Sequence, residues 1–310
     1  MTGGFLGELG KRLAEKWLSL LVLPGALFLA VAAAGRVLGH GHPFDVDRLT
    51  DRVTAWAKAP VVSTVGGQVV LIAAILLGAA AAGVVAQALG SALERVVLAA
   101  GWQSLPGPLR RPVRAWVERR QRRWEAARDR YRSAREAAAR ALVTRRRVDP
   151  GERHGAYRAM ARIAPERPDR PTWSGDRLHA VAVRLDRDLD LDLAVVWPVL
   201  WMHVAPETRA EITAGRQAVT SAAALGGWAL LYLPLLCWWW PAAVIAAGVG
   251  LTSRARLRAA LEGYAQTVEA TARLHAAGLA RELGVGDDTV HGAEAGAAVT
   301  RHLRGHVLQD

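Results

Sequence analysis

Two pairs of histidines and one run of aspartates are the residues whose types and spacing could bind a metal ion. His302 and His306 stand four residues apart in a segment with helical periodicity, so both imidazoles would project from one helix face. A second pair flanks a glycine at residues 40–42 and precedes two aspartates. Zinc sites usually add thiolate or carboxylate ligands, and Cys237 is the only cysteine. We therefore predict exposed histidines and no metal centre.

Four aspartates occur at alternating positions before an apolar segment: Asp186, Asp188, Asp190 and Asp192. Their spacing lacks the turn glycine and the closing glutamate of a calcium-binding loop. The alternation has the period of a β-strand, but no partner strand is visible that would satisfy its backbone groups. We predict a turn that leads into a helix, with Asp190 or Asp192 as its N-cap.

No catalytic signature accompanies these residues. The chain contains no GxxxxGK[ST], GxSxG or HExxH motif, which are the patterns for phosphate binding, serine hydrolysis and zinc proteolysis. Its long charge-free runs also lack the acidic or basic side chains that proton relays and ion-coupled transporters place in the membrane. We predict no enzymatic activity, no catalytic residue and no cofactor.

Three charge-free runs determine the predicted architecture. They cover 19 residues from Trp17 to Gly35, 35 from Ala59 to Leu93 and 37 from Gln217 to Ser253. A helix needs about 20 apolar residues to cross the hydrocarbon layer, so we predict an all-α integral membrane protein with about four spans. Its predicted segments are a cytoplasmic amphipathic lead-in (1–16), span one (17–35), a non-cytoplasmic loop (36–60), span two and its extension (61–93), a cytoplasmic Arg-rich helical insertion (94–216), span three (217–236), a non-cytoplasmic turn (237–241), span four (242–253) and a cytoplasmic helical tail (254–310).

Tryptophans mark the predicted membrane interfaces. Trp238, Trp239 and Trp240 precede a proline within the third charge-free run, and Trp17 opens the first. Indole rings are enriched at the headgroup level of a bilayer, so residues 237–241 fit a turn between spans three and four. Basic residues flank the other ends of the spans, which puts both termini in the cytoplasm of a cell-membrane protein. Cleavage of span one as a signal peptide is an alternative.

The charge of the chain is concentrated in one segment. Residues 110–147 contain 15 arginines and four acidic residues, part of a formal net charge of +12 for the whole chain. Apolar residues recur there every three or four positions from Pro112 to about Val143, which predicts an amphipathic helix. The helix is either a topology signal only or a surface that docks on the anionic inner leaflet; nucleic acid is a less favoured partner. The candidate lipid contacts are Trp116, Arg119, Arg120, Arg123 and Trp124.

The insertion also carries the motif with which we associate a family. The motif consists, in chain order, of Pro171-Thr172, Gly175-Asp176-Arg177-Leu178, Leu191-Asp192, Val196-Trp197-Pro198-Val199-Leu200-Trp201 and Pro206-Glu207, followed by two closing spans. This segment resembles a family of uncharacterised multi-pass membrane proteins, best represented in actinobacteria. The resemblance implies a multi-pass membrane protein and brings no activity with it.

Two hypotheses of function from different classes follow from these features. In the favoured one, the chain is a membrane anchor or scaffold that docks a cytoplasmic protein through residues 109–216 and the tail. Its candidate partner contacts are Trp173, Asp176, Arg177, Trp197 and Trp201. In the alternative, spans two and three form an oligomeric passive pore through their glycine- and alanine-rich faces, with Gln68 and Gln87 facing the lumen. A membrane-surface enzyme is a third possibility.

Overall fold

The computed structural model describes residues 22–98, 101–104, 106–144, 150–285 and 292–307. All regular structure in these ranges is helical, which confirms the predicted all-α class. The helices are α1 (Leu23–Leu38), α2 (Val46–Ala57), α3 (Pro60–Ser63), α4 (Val65–Leu98), α5 (Gly107–Val143), α6 (Pro150–Ile163), α7 (Trp173–Leu189), α8 (Leu193–His203), α9 (Pro206–Tyr232), α10 (Ala242–Glu282) and α11 (Ala293–Val307). The predicted lead-in at residues 1–16 and Trp17 lie outside the described residues.

Two of these helices are long and apolar enough to cross a membrane. They are α4, with 34 residues, and the 32-residue segment Pro206–Cys237, which joins α9 to the 3₁₀ turn Leu233–Cys237. Helix α1 is apolar but shorter, with 16 described residues. The predicted fourth span has no end of its own near residue 253, because α10 runs without a break for 41 residues. The stretch 251–260 contains no glycine or proline that would stop it.

The chain divides into two compact units. The first, here called the apolar unit, comprises Met1–Glu94 and Thr220–Leu257; the second, the polar unit, comprises Arg95–Val219 and Arg258–Asp310. The predicted cytoplasmic segments, 94–216 and 254–310, have bounds close to those of the polar unit. Both segments therefore belong to one unit, although more than 30 residues separate them in the sequence.

Small residues bring the helices of the apolar unit together. A Cβ atom on Gly227 of α9 would lie 2.0 Å from the Ala86 carbonyl oxygen of α4, and one on Gly90 would lie 2.7 Å from the Ala224 Cα. Only glycine permits such close approach of two backbones. In α10, the Ser253 hydroxyl donates to the Ala222 carbonyl at 2.7 Å. The glycine-rich faces of α4 and α9 therefore pack against each other within one chain.

The core of the polar unit is built from helices that are distant in sequence. Its buried apolar side chains come from α7, α8, the first part of α9, the second half of α10 and α11. Among the largest fully buried side chains are Leu185, Leu191, Leu200, Leu261 and Val299. Burying a leucine contributes about 1.5–3 kcal/mol, so the tail is an integral part of the core of this unit. Helix α11 begins at Ala293.

A second, smaller core joins α5 to α6. Helix α5 spans Gly107–Val143, in agreement with the amphipathic helix predicted from Pro112 to Val143. Its apolar stripe packs on α6 and the residue that follows, in a cluster of Trp124, Ala127, Met160 and Ala164. Apart from Arg120, the described arginines of α5 are exposed on the remaining faces, as is usual for a helix that buries one stripe.

The Asp/Leu alternation forms a junction between two helices. Asp190 ends α7 in the left-handed region, with φ of 49°, and Asp192 caps α8 by accepting a hydrogen bond from the Ala194 N–H at 3.0 Å. Leu191, between them, is fully buried. The predicted turn and N-cap are confirmed, since aspartate tolerates left-handed backbone and is a preferred N-cap residue.

Candidate docking surface of the polar unit

The Gly-Asp-Arg motif lies at the start of α7, where it is packed against other backbone. Thr172 caps the helix by accepting from the Gly175 N–H at 3.0 Å, and its hydroxyl donates to the Val97 carbonyl. A Cβ atom on Gly175 would lie 2.6 Å from the Leu98 carbonyl oxygen. The motif thus requires glycine at this position because α7 and the end of α4 leave no room for a side chain.

Asp176 is buried and fully hydrogen-bonded. Its Oδ1 accepts from the Asp169 and Arg170 N–H groups at 3.0 and 2.8 Å, and its Oδ2 accepts from Arg120 Nη1 at 2.6 Å. Burial raises the pKa of this carboxyl above its ordinary value, while the backbone N–H donors and Arg120 oppose that effect. Asp176 therefore holds a loop and a helix together from inside the unit.

That loop, residues 164–172, is rich in proline and is held mainly by donors from α5. Its carbonyl oxygens accept from four side chains: Trp116 Nε1 to Pro171, Arg120 Nη1 to Arg170, Gln121 Nε2 to Pro168 and Trp124 Nε1 to Ala164. Backbone without regular structure must find hydrogen-bond partners elsewhere when it is buried. Helix α5 therefore holds residues 164–172, called here the proline loop, in place.

Arg177 begins an ion network between α7 and α10. Its guanidinium makes a two-point contact with the Glu262 carboxylate, at 2.9 and 3.0 Å, and only 4% of its side chain is exposed. Burial tends to raise the pKa of Glu262, but Arg177, together with Gln266 and Arg184, lowers this pKa below its ordinary value. The network continues through Arg184 with Glu166 and Glu269, and through Arg273 with Asp188. Such paired, hydrogen-bonded charges fix one packing arrangement of the two helices.

The five predicted partner contacts consequently fall into two groups. Asp176 and Arg177 are each 3% exposed and contact other residues of the polar unit, so the structure does not give them a surface role. Trp197 and Trp201 share one side of α8, with ring centroids 5.9 Å apart, and both are partly exposed. Trp173 is partly buried beneath Arg258, whose guanidinium carbon lies 4.3 Å from the ring centroid.

An open apolar groove lies beside Trp197 and is called here the Trp197 groove. It has a volume of about 390 Å³ and lies between α7, α8 and α10. Its lining is formed by Leu178, Val181, Ala182, Leu193, Ala194, Trp197, Pro198, Tyr264 and Val268. Of these, the sequence singled out Trp197 as a contact; the others looked like ordinary core positions of three separate helices. Apolar grooves with an aromatic wall are typical sites for a partner's side chain.

The candidate lipid contacts on α5 are divided in a similar way. Arg119 and Arg123 are exposed and Trp116 is half exposed, whereas Arg120 and Trp124 are only 8% and 5% exposed. Trp124 cannot enter a bilayer while α5 packs on α6. The outward face of α5 instead carries an arginine stripe. By helical spacing, the stripe lies opposite Trp124 and consists of Arg111, Arg119, Arg122 and Arg140.

The predicted interface tryptophans of the turn lie in the apolar unit. The Trp239 Nε1 donates to the Pro43 carbonyl at 3.1 Å, and the Trp240 ring meets Phe44 edge-on, with centroids 5.8 Å apart. Trp238 lies under Arg36, 5.8 Å from its guanidinium carbon. Direct contacts therefore join residues 237–241, called here the tryptophan turn, to the loop that connects α1 and α2.

Within the described part of the chain, no three His, Cys, Asp or Glu side chains converge on a potential metal site. Comparisons of the chain with protein-family models, with curated proteins and with solved structures gave no match. The candidate site therefore rests on its own geometry, namely the Trp197 groove and the arginine stripe on a unit fixed by buried ion pairs.

Proposed function

We propose that this chain is a multi-pass protein of the cell membrane, whose polar unit is a cytoplasmic docking platform for a protein partner. The membrane placement rests on the first half of α4. Val65, Val69 and Leu77 are 78%, 62% and 72% exposed, and the apolar side chains between them are also exposed. A contiguous apolar surface of this kind has to be covered by lipid or protein, and the length of α4 suits a bilayer.

The proposed topology has four spans, to which α1, α4, α9 and the first part of α10 belong. The 15 arginines of residues 110–147 favour retention of the polar unit in the cytoplasm. Both termini are then cytoplasmic, and the tryptophan turn and α2 lie on the opposite side. The resemblance of the motif to multi-pass membrane proteins supports the same arrangement.

The docking role rests on the Trp197 groove. A rigid unit with an open apolar groove can accept the apolar face of a helix from another protein. We assign an acidic protein segment as its occupant, because the field of the arginine-rich unit would attract such a partner from solution. Asp176 and Arg177 contribute indirectly, since they fix α7, which forms one wall of the groove.

Site-specific photocrosslinking in intact membranes tests the docking role. A photoreactive residue in place of Ala194, at the groove, should form an adduct with an acidic cytoplasmic protein that mass spectrometry identifies. Ala182→Trp, which fills the groove, should abolish the adduct. Ala270→Trp, at an exposed position of α10 outside the groove lining, should leave it intact. Adducts that survive the filled groove, or adducts with lipid alone, would contradict the proposal.

The pore alternative receives less support from the structure. In the pore hypothesis, separate chains associate through the small-residue faces of spans two and three. In the structure, however, Gly90 and Gly227 pack α4 against α9 within one chain. Gln68 donates to the Val62 carbonyl at 2.8 Å. We therefore keep docking, and neither conduction nor surface catalysis, as the proposed role.

A further inference from the structure

Helix α2 presents an apolar face that the described chain leaves uncovered. Val46, Leu49, Val53 and Trp56 recur at spacings of three and four, which places them on one side of the helix. Val46, Val53 and Trp56 are 69%, 51% and 46% exposed, and none of the 12 residues of α2 is buried. A helix packed on a protein core would bury this stripe.

The polar side of α2 faces the neighbouring helix instead. Asp47, Arg48, Asp51 and Arg52 line a groove of about 1140 Å³ together with Ala33, Arg36 and Val37 of α1, and Trp56, at the edge of the apolar stripe, also borders it. The helix is well started, because Asp45 caps it by accepting from the Arg48 N–H at 2.9 Å. A single helix of this length is marginal in water by itself. Its outward apolar stripe therefore needs a partner other than the described residues.

The start of α2 is tied to the tryptophan turn. Pro43 accepts from Trp239, and Phe44, itself 69% exposed, stacks edge-on against Trp240. Tryptophans in such a turn sit at the headgroup level in the proposed topology. These contacts place the first residue of α2 at the headgroup depth of the tryptophan turn. The apolar stripe of α2 therefore continues the apolar surface that lipid covers in the proposed topology.

We propose that α2 is an interfacial helix on the non-cytoplasmic leaflet, with Phe44, Val46 and Val53 inserted between the lipid headgroups. This inference rests on the membrane placement proposed above. Because the polar face carries two aspartates and two arginines, insertion is driven by apolar burial and does not need anionic lipid. The helix would brace α1 and the tryptophan turn against the bilayer surface.

Spin labelling of the full chain in lipid nanodiscs tests this placement. In a Cys237→Ser background, nitroxide labels are attached at Val53→Cys, on the apolar face, and at Asp51→Cys, on the polar face. A third label at Ile72→Cys, 58% exposed on α4, reports whether the chain crosses the bilayer. Collisions with oxygen, which concentrates in lipid, and with a water-soluble nickel chelate are measured by power saturation.

The inference predicts an oxygen-to-nickel collision ratio several-fold higher at position 53 than at position 51, in zwitterionic and anionic nanodiscs alike. A lipid signal at position 72 with a water signal at position 53 would overturn the interfacial helix and leave the membrane placement standing. A water signal at position 72 would overturn both. Low access of both reagents to position 53, with spin–spin broadening between chains, would show that a second copy covers the stripe and would refute lipid contact.

Discussion

Arg120 of α5 and Asp176 of α7 form a buried ion pair, with Nη1 and Oδ2 2.6 Å apart and only 10% and 3% of the two side chains exposed. Each of them also bonds the proline loop, Arg120 through the Arg170 carbonyl and Asp176 through the Asp169 and Arg170 N–H groups, and Arg120 donates in addition to the Ile163 carbonyl at the end of α6. The pair of charges therefore joins α5 to a loop and a helix that lie more than 40 residues further along the chain. Removing either partner would leave the other charge buried without its counter-charge.

Asp176→Ala should accordingly destabilise the polar unit by about 3–5 kcal/mol, as expected for one partner of a buried pair. Arg120→Ala should cost a similar amount, and the double variant should cost less than the sum of the two because the same interaction is lost. Denaturant unfolding of the full chain in detergent, followed by tryptophan emission, measures the effect. Arg119→Ala, one position away and exposed, should change the unfolding free energy by less than about 0.5 kcal/mol. Equal effects at positions 119 and 120 would contradict the pairing.

Gly175→Ala should destabilise the unit by about 1–3 kcal/mol, the usual cost of overpacking. The new methyl group would meet the Leu98 carbonyl oxygen at 2.6 Å and the Thr172 hydroxyl at 3.0 Å. Gly155→Ala is the matched control, because it also lies within a helix and its Cβ would meet no atom within 4 Å. That variant should be more stable by about 0.5–1 kcal/mol, from helix propensity. If both substitutions shift the thermal midpoint in the same direction, the close contact at Gly175 is wrong.

Acid should weaken the junction between α8 and α11. The Arg304 guanidinium, 2.5 Å from Asp192, lowers the pKa of that carboxyl, which burial alone would raise. Since the pKa is lower in the folded than in the unfolded state, the stabilisation is complete above the unfolded-state pKa, roughly 4, and is lost as the pH falls through the folded-state value. Asp188, bonded to Arg273 and Arg187, shifts in the same direction.

Thermal unfolding of the full chain between neutral pH and pH 3 checks this dependence. Asp192→Asn should lower the midpoint at neutral pH and flatten its decline in acid. Glu211→Gln, at an exposed carboxylate without an ion pair to a described residue, should preserve the shape of the curve. A curve for Asp192→Asn that parallels the parent at every pH would show that Arg304 does not stabilise the charged form.

Reporter fusions test the proposed topology of the whole chain. A reporter that is active only outside the cytoplasm should give signal when fused near His42 or Trp240, which flank the contact between Phe44 and the tryptophan turn. The same reporter should be silent at Arg145 and Asp310, because the arginine-rich segment is expected to remain in the cytoplasm. A reporter that is active only in the cytoplasm should give the opposite result at each of these sites. Signal outside the cytoplasm at Arg145 would exclude a cytoplasmic polar unit.

Sequence patterns alone predicted the features of this protein that depend on neighbouring residues. Periodicity at threes and fours indicated α5, and aspartate chemistry indicated the cap of α8. The charge-free runs likewise identified α4 and α9 as long apolar helices. Each of these signals is local, because helix period, turn chemistry and charge are properties of a short stretch.

The tertiary structure decided which of the charged residues are inside. An arginine among many on α5 has the sequence signature of a solvated face, yet Arg120 is buried because acceptors from Ile163, Arg170 and Asp176 converge on it. Arg177 is buried for the same reason, by carboxylates that lie 85 and more residues away. The groove beside Trp197 and the joining of the tail to the insertion are also products of contacts distant in sequence. A single sequence records the charge of a residue but not the partners that offset the desolvation cost of burying it. Those partners come together only when the helices have packed.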